Sequence, residues 1–209
     1  MTSPQSIADQ LQSDILSGAL PVGQPLSQTD LAARFGVSRI PIRDALARLA
    51  ALGLIDQAPN RTAHVIRMDA TEVSEAYDLR LLLECDLLAR AIPVMTEADL
   101  TRIDYALARS NLEAKNANWA EGDQMFHAAL YAPAMRPRQA QMITGLRRTC
   151  RIQISAYDAL PNETERWLAD HQALRDACHR RDTNAAVTCL RAHIEGALDT
   201  LLQKMSGDA

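Results

Sequence analysis

The sequence predicts a mainly α-helical protein: an N-terminal winged helix-turn-helix over residues 1–68, then an all-α antiparallel bundle of about six helices over residues 69–209. Three observations carry that expectation. Between Ser27 and Leu49, two short runs with helical spacing are joined by a glycine turn. Between Leu54 and Arg67, apolar and polar residues alternate on either side of a turn. From Thr71 onward, apolar residues recur every three or four positions with no strand pattern.

Taken in order, Ser6 to Ser17 carries Ile7, Leu11, Ile15 and Leu16 on one helical face, and Gly18 stops it. Residues 18–26 are rich in glycine and proline and read as a connector. Ser27 is a good N-cap for a short helix bearing Leu31, Ala32 and Phe35. Gly36 ends that helix and Val37 plugs the turn. Ser38 then caps a second helix with Pro41 in its first turn, where proline costs nothing. Ile42, Ala45, Leu46 and Leu49 form its buried face. Beyond Gly53, Leu54–Gln57 and Ala63–Arg67 read as strands around a turn at Ala58-Pro59-Asn60-Arg61-Thr62, a hairpin wing. Met68-Asp69-Ala70 is a short linker. The bundle helices are expected at 71–92, 97–116, 118–131, 136–157, 162–180 and 183–204, punctuated by Pro93, Pro133, Pro137, Pro161 and a turn at Arg181-Asp182-Thr183.

A chain of 209 residues with 47% hydrophobic residues can bury real cores. No run approaches the ~18 apolar residues of a membrane span, and the N-terminus lacks the apolar centre of a signal peptide, so a cytoplasmic protein is expected. Cys85, Cys150, Cys178 and Cys189 are dispersed and read as buried thiols of a reduced compartment. The net charge of −4 divides unevenly: residues 1–68 carry six arginines against five aspartates, and the rest carries the acidic excess, which should face away from a polyanion.

Two short helices joined by a glycine turn form a helix-turn-helix, whose second helix normally enters the DNA major groove. Arg39 and Arg43 are four apart and share one side of that helix. Arg34 ends the preceding helix nearby, and Ser38 offers a hydroxyl to a phosphate. Arginine forks suit guanine edges and phosphates. At the wing, Asn60, Arg61, Thr62 and His64 could reach the backbone or the minor groove. The expected partner is double-stranded DNA with a palindromic operator, bound by a homodimer, because two-fold dimers match palindromes.

Phe35-Gly36-Val37-Ser38-Arg39 followed by Pro41-Ile42-Arg43-Asp44-Ala45-Leu46 resembles the signature of GntR-family transcriptional regulators, Gly-Val-Ser-Arg-Thr-Pro-Val-Arg-Glu-Ala-Leu, with departures at Ile40, Ile42 and Asp44. The family often has glycine where Thr62 stands. The helical remainder resembles the FCD effector domain of the FadR-type branch of that family.

Four polar residues of the bundle fall on inward faces. Asp123 and His127 are in phase with Leu130 and Tyr131, His171 with Trp167, Leu174 and Cys178, and His193 with Val187, Leu190 and Ala197. Buried imidazoles and carboxylates need partners, and one divalent ion would satisfy all four. Three imidazoles and a carboxylate suit Zn²⁺ first, with Ni²⁺ or Mn²⁺ as alternatives. The Asp-x-x-x-His pair with two later helix-borne histidines also matches the metal-binding pattern of FCD domains. His64 and His179 fall outside it. Arg80 points inward, in phase with Tyr77 and Leu87. The resemblance implies that it lines the ligand cavity, although Glu84 one turn on would equally make a structural ion pair. Arg136, Arg138, Arg147, Arg148 and Arg151 read as a solvated basic face, and Met142, Ile143 and Leu146 as core.

The first functional reading is a ligand-responsive, DNA-binding transcriptional regulator, most often a repressor in this family. Its metal and Arg80 would hold a small carboxylate, and binding would change the spacing of two DNA-binding domains. The alternative is a metal-dependent hydrolase or lyase domain fused to a DNA-binding module, against which no inward carboxylate beyond Glu84 is placed as a general base. A third reading is a structural metal that only braces the bundle.

Overall fold

A computed structural model describes residues 3–58, 61–114, 119–156 and 164–207. Among them the chain forms a winged helix-turn-helix followed by helices alone. Helix α1 (Pro4–Leu16) is capped by the Ser3 side chain. Helix α2 (Gln28–Phe35) is capped by Ser27, whose hydroxyl accepts from the Asp30 amide, and it ends at Gly36 with φ 64°, a left-handed turn that glycine enters without strain. Helix α3 (Arg39–Ala51) starts after Ser38, which has the extended backbone of a cap. Its hydroxyl makes no capping bond, contrary to expectation.

Three short antiparallel strands pack beside these helices in the order β1 (Pro25–Leu26), β3 (Ala63–Val65), β2 (Ile55–Asp56). The wing hairpin is therefore present, and Leu26, which the sequence left in a connector, adds a third strand opposite Ala63. Two residues are too few for alternation to be read. Pro59 and Asn60 lie outside the described residues. The head has its own core, in which Ile7, Leu11 and Ile15 of α1 meet Leu31, Ile42, Leu46, Leu49, Leu54 and Val65.

The bundle consists of α4 (Ala70–Ala91), α5 (Glu97–Glu113), α6 (Trp119–Tyr131), α7 (Pro137–Ala156), α8 (Thr164–His179) and α9 (Thr183–Gly207). These follow the six expected segments closely, and the expected ends at 115–116, 118, 157 and 162–163 fall outside the described residues. Capping boxes start α4, where Asp69 and Glu72 exchange bonds with each other's backbone, and α5, where Thr96 and Asp99 do the same. The core joins Tyr77, Leu87 and Leu88 of α4 to Ile103, Phe126, Leu130, Leu174, Leu190 and Ile194.

One helix belongs to both halves. Ile152 of α7 is buried in the core of the head. The next residue, Gln153, donates to the Ile66 carbonyl and accepts from the Met68 amide across the linker, at 3.3 and 3.4 Å. Near the other end of α7, Ile143 is core as expected, but Met142 is 60% exposed and Leu146 only partly buried.

Candidate functional site

Asp123, His127, His171 and His193 come from α6, α8 and α9 and meet inside the bundle. Each offers a ligand atom lying within 4.8 Å of the others. The four residues expected from spacing are thus brought together. Phe126 packs against His171, with ring centroids 4.6 Å apart, and His127 stacks near His193 at 5.4 Å.

The two oxygens of Asp123 face different partners. Oδ2 accepts from Arg147 Nη2 at 2.6 Å, while Oδ1 lies 3.5 Å from His127 Nε2 and 3.4 Å from His171 Nε2. His127 Nε2 and both ring nitrogens of His171 are buried without a hydrogen-bond partner. Buried polar atoms are normally satisfied, so the two orphaned Nε2 atoms beside Asp123 Oδ1 fit a divalent cation. Metal–ligand bonds of about 2.1 Å would require ligand atoms spread over up to 4.8 Å to draw closer together. Outer contacts orient two of the imidazoles: His127 Nδ1 is 3.1 Å from the Tyr131 hydroxyl, and His193 Nδ1 is 3.1 Å from Asp170 Oδ2.

Burial favours the neutral form of two of the imidazoles, His127 and His193. Burial, joined by the nearby Arg147 charge, lowers His127 to about 3 despite Asp123. Burial also lowers His193, against the pull of Asp170. Burial pushes the Asp123 carboxyl up, but Arg147 and His127 outweigh it and hold the group well below the carboxylate range.

Arg147 was read as part of a solvated run; it is instead 7% exposed and forms the hinge of a buried network. Besides Asp123 it reaches Glu84 Oε2 at 2.9 Å. Glu84 also takes Arg80 Nε on Oε1 at 2.7 Å and the Tyr131 hydroxyl on Oε2 at 2.7 Å. Burial raises the Glu84 carboxyl, but Arg80 and Arg147 together bring it down to about 2. Arg80 makes the structural pair with Glu84, stacks 4.7 Å over the Tyr77 ring and also lines a cavity of about 330 Å³. That cavity is bounded by Asp123, Arg147, Trp167 and His193 of the bundle and by Gln12, Leu16 and Leu52 of the head. His179, outside the ligand pattern, is exposed and lies 2.9 Å from Asp104.

A second concave surface lies between α3 and the wing. Arg39, Arg43, Arg61 and Thr62 line it with Ser27, Gln28 and Thr29 at the start of α2. Ser38 and His64 are exposed close by in sequence, but neither lines this surface. Arg34 is directed elsewhere, pairing with Asp14 of α1 at 2.5 Å.

Residues 4–65 match the family described as bacterial regulatory proteins, gntR family, and residues 75–196 match the FCD domain, more than half of the chain. The chain belongs to the GntR family of regulators with an FCD domain. This GntR-family protein is 28% identical over 203 residues to the HTH-type transcriptional repressor RspR of Escherichia coli, covering 95% of this chain and 89% of the relative. It is 32% identical over 128 residues to the gluconate operon transcriptional repressor of Bacillus subtilis, covering 59% and 52%. Among solved structures, a regulator from Rhodococcus sp. RHA1 shares the fold at TM-score 0.83 and 24% identity, over 96% of this chain and 97% of that one. The GntR-family chain is a transcriptional regulator, as its relatives are, and not an enzyme, so the hydrolase or lyase alternative is set aside. No described helix is long and apolar enough to cross a membrane.

Of the residues missed from sequence, Arg147 binds Asp123, Tyr131 meets His127 and Asp170 meets His193. Tyr131 was seen in phase with His127 but not weighed as a partner. An arginine spaced i, i+4 from Ile143 on an apolar face was the available signal for Arg147.

Proposed function

We propose that residues 1–68 form a DNA-binding head and residues 69–209 an effector and dimerisation domain, and that the whole is a cytoplasmic, ligand-responsive repressor acting as a homodimer. The observation that carries the effector reading is the set of orphaned imidazole nitrogens facing Asp123 Oδ1. Asp123, His127, His171 and His193 would hold Zn²⁺, or failing that Ni²⁺ or Mn²⁺. The bound ion would supply positive charge and a coordination position for a carboxylate oxygen. Arg80 would stand as counter-charge at the cavity wall. His193 is both a candidate ligand and a cavity-lining residue, which ties metal to effector. Thermal-shift measurements on protein purified without chelator, with and without added zinc and small carboxylates, test this reading. No uptake of any divalent ion would sink it.

The route to DNA would run along α7. Arg147 touches the candidate ligand Asp123, and Ile152 and Gln153 of the same helix hold the head and the linker. A bundle that tightens around metal and carboxylate would thereby reset the head.

On the DNA side, Arg39 and Arg43 are assigned to base edges and Arg61 to phosphate, with Ser38, Thr62 and His64 as backbone contacts. Arg39→Ala or Arg43→Ala should cost ~1–3 kcal/mol of operator affinity and relax base preference, whereas Arg61→Ala should weaken all sequences alike and flatten the salt dependence. Filter binding or fluorescence anisotropy at two salt concentrations reads both. Unchanged affinity in Arg43→Ala would refute the assignment. Arg34, held by Asp14 away from this surface, should give a smaller loss than Arg39, Arg43 or Arg61.

Dimerisation is assigned to the outer side of α4 and α7. Leu79 and Leu82 of α4, Met142 of α7 and Met135 just before α7 are all exposed, large apolar side chains that a monomer would leave in water. Gln139 binds the Leu83 carbonyl and Asp86, which fixes the two helices side by side. Leu82→Glu with Met142→Glu should convert a micromolar dimer to monomer in sedimentation velocity and weaken operator binding. A wild-type chain that is monomeric yet binds its operator tightly would overturn the assignment.

A further inference from the structure

The cavity beside the candidate metal ligands holds more positive charge than one carboxylate ligand needs. Four arginines line it, Arg80, Arg147, Arg148 and Arg151, against a single carboxylate, Asp123. Arg80 and Arg147 are matched by Glu84 and Asp123. Arg148 and Arg151 form no ion pair among the described residues, yet both are only partly exposed. Burial makes each a weaker base than a free guanidinium, opposed at Arg151 by the charges of Asp123 and Glu121. Half-buried cations with no ion-pair partner are costly, and these two sit three apart on one side of α7.

Their position along the helix matters. Arg151 lies one turn beyond Arg147, about 6 Å farther along the axis. That is the direction of the linker, where Gln153 holds the Met68 amide. The cavity's walls at the head are Gln12 and Leu16 of α1 and Leu52 just past α3. Its volume of about 330 Å³ is near the lower end of small-molecule sites, roughly 300–1,000 Å³.

We propose that Arg148 and Arg151 form a second anion subsite, and that the effector is a short dicarboxylate. One carboxylate sits at the Asp123–His193 end beside Arg80, and the other lies between Arg148 and Arg151. This rests on the reading that the cavity takes a metal-assisted carboxylate, and it adds the second charge. A ligand of this shape spans two parts of the bundle and lies against the cavity walls that Gln12, Leu16 and Leu52 of the head supply.

The test is isothermal titration calorimetry on the zinc-loaded full chain. Succinate, glutarate and adipate are compared with butyrate, valerate and hexanoate, each diacid against the monoacid of the same length. At least one diacid should bind roughly tenfold tighter than its partner, the worth of an added charge-assisted hydrogen bond. Arg148→Gln and Arg151→Gln should each bring that diacid to within about threefold of the monoacid, with monoacid affinity unmoved. Arg151→Lys should keep most of the preference. Diacids no better than monoacids in every pair overturn the subsite while leaving the single-carboxylate reading intact, and so does a preference unmoved in the Arg148→Gln, Arg151→Gln double variant. Tight binding of 3-phosphoglycerate with no diacid preference would overturn the dicarboxylate and assign the second charge to phosphate. No binding of any acid in either series by zinc-loaded protein would overturn the carboxylate reading itself.

Discussion

Stripping the divalent ion from the intact protein is expected to lower its melting temperature by roughly 10 °C. The candidate ligands come from three helices, α6, α8 and α9, so an ion bound among them staples the bundle in the folded state alone. Its contribution is RT ln(1 + [M]/Kd), about 4 kcal/mol at a thousandfold excess over Kd, and each kcal/mol moves Tm by ~2–4 °C in a chain of this size. His171→Ala and His193→Ala should each abolish the response to chelator. They should also lose the effector's influence on operator binding. Retained effector control in His193→Ala, with metal response gone, would leave the ion purely structural.

The same site should give the metal-free protein an acid-sensitive limb. The His127 pKa falls to about 3 in the fold, against ~6.5 in an unfolded chain. A depressed pKa means that the unfolded state takes up the proton first. The stability held by neutral His127 is therefore whole above pH ~6.5 and is lost as pH falls toward about 3. Melting curves in chelator between pH 7 and pH 4 should show the loss, and His127→Gln should reduce its slope. An unchanged slope would mean that His127 is not buried neutral.

The second large effect is expected at Arg147. Arg147→Ala should destabilise the protein by ~3–5 kcal/mol, the cost of removing one partner from a buried ion network. Two carboxylates depend on its fork: Glu84 through Nη1 at 2.9 Å and Asp123 through Nη2 at 2.6 Å. Glu84 keeps Arg80 and Tyr131, so most of the loss should fall on Asp123, whose other near neighbours are two imidazoles. Arg147→Lys should recover only part, because an ammonium cannot bind two carboxylates in the planar geometry of a guanidinium. Added zinc should offset more of the loss in Arg147→Ala than it adds to wild type, since the ion replaces the missing charge at Asp123. Urea unfolding with and without zinc checks both. A cost below ~1 kcal/mol would show that the network contributes little net stability.

The helical periods and the capping residues are legible in the chain by themselves. Ser27, Gly36, Asp69 and Thr96 act on residues three or four places away, so local sequence contains the physical cause. The inward histidines were legible for the same reason: phase along one helix says which way a side chain points. Phase does not say what it meets. Arg147, Arg148 and Arg151 are chemically identical in sequence. Only the packing of α7 against α4 and α6 puts the first between Glu84 and Asp123 and leaves the other two on a cavity wall. Arg34 likewise looked free for DNA until α1 brought Asp14 to it, twenty residues away. Strand β1 escaped notice because two residues have no period, and its identity comes from Ala63 and His64 across the sheet. Interactions within one turn of helix are fixed by order in the chain. Interactions between helices depend on which faces the cores of the head and the bundle bring together, and that choice is made by all the buried side chains at once.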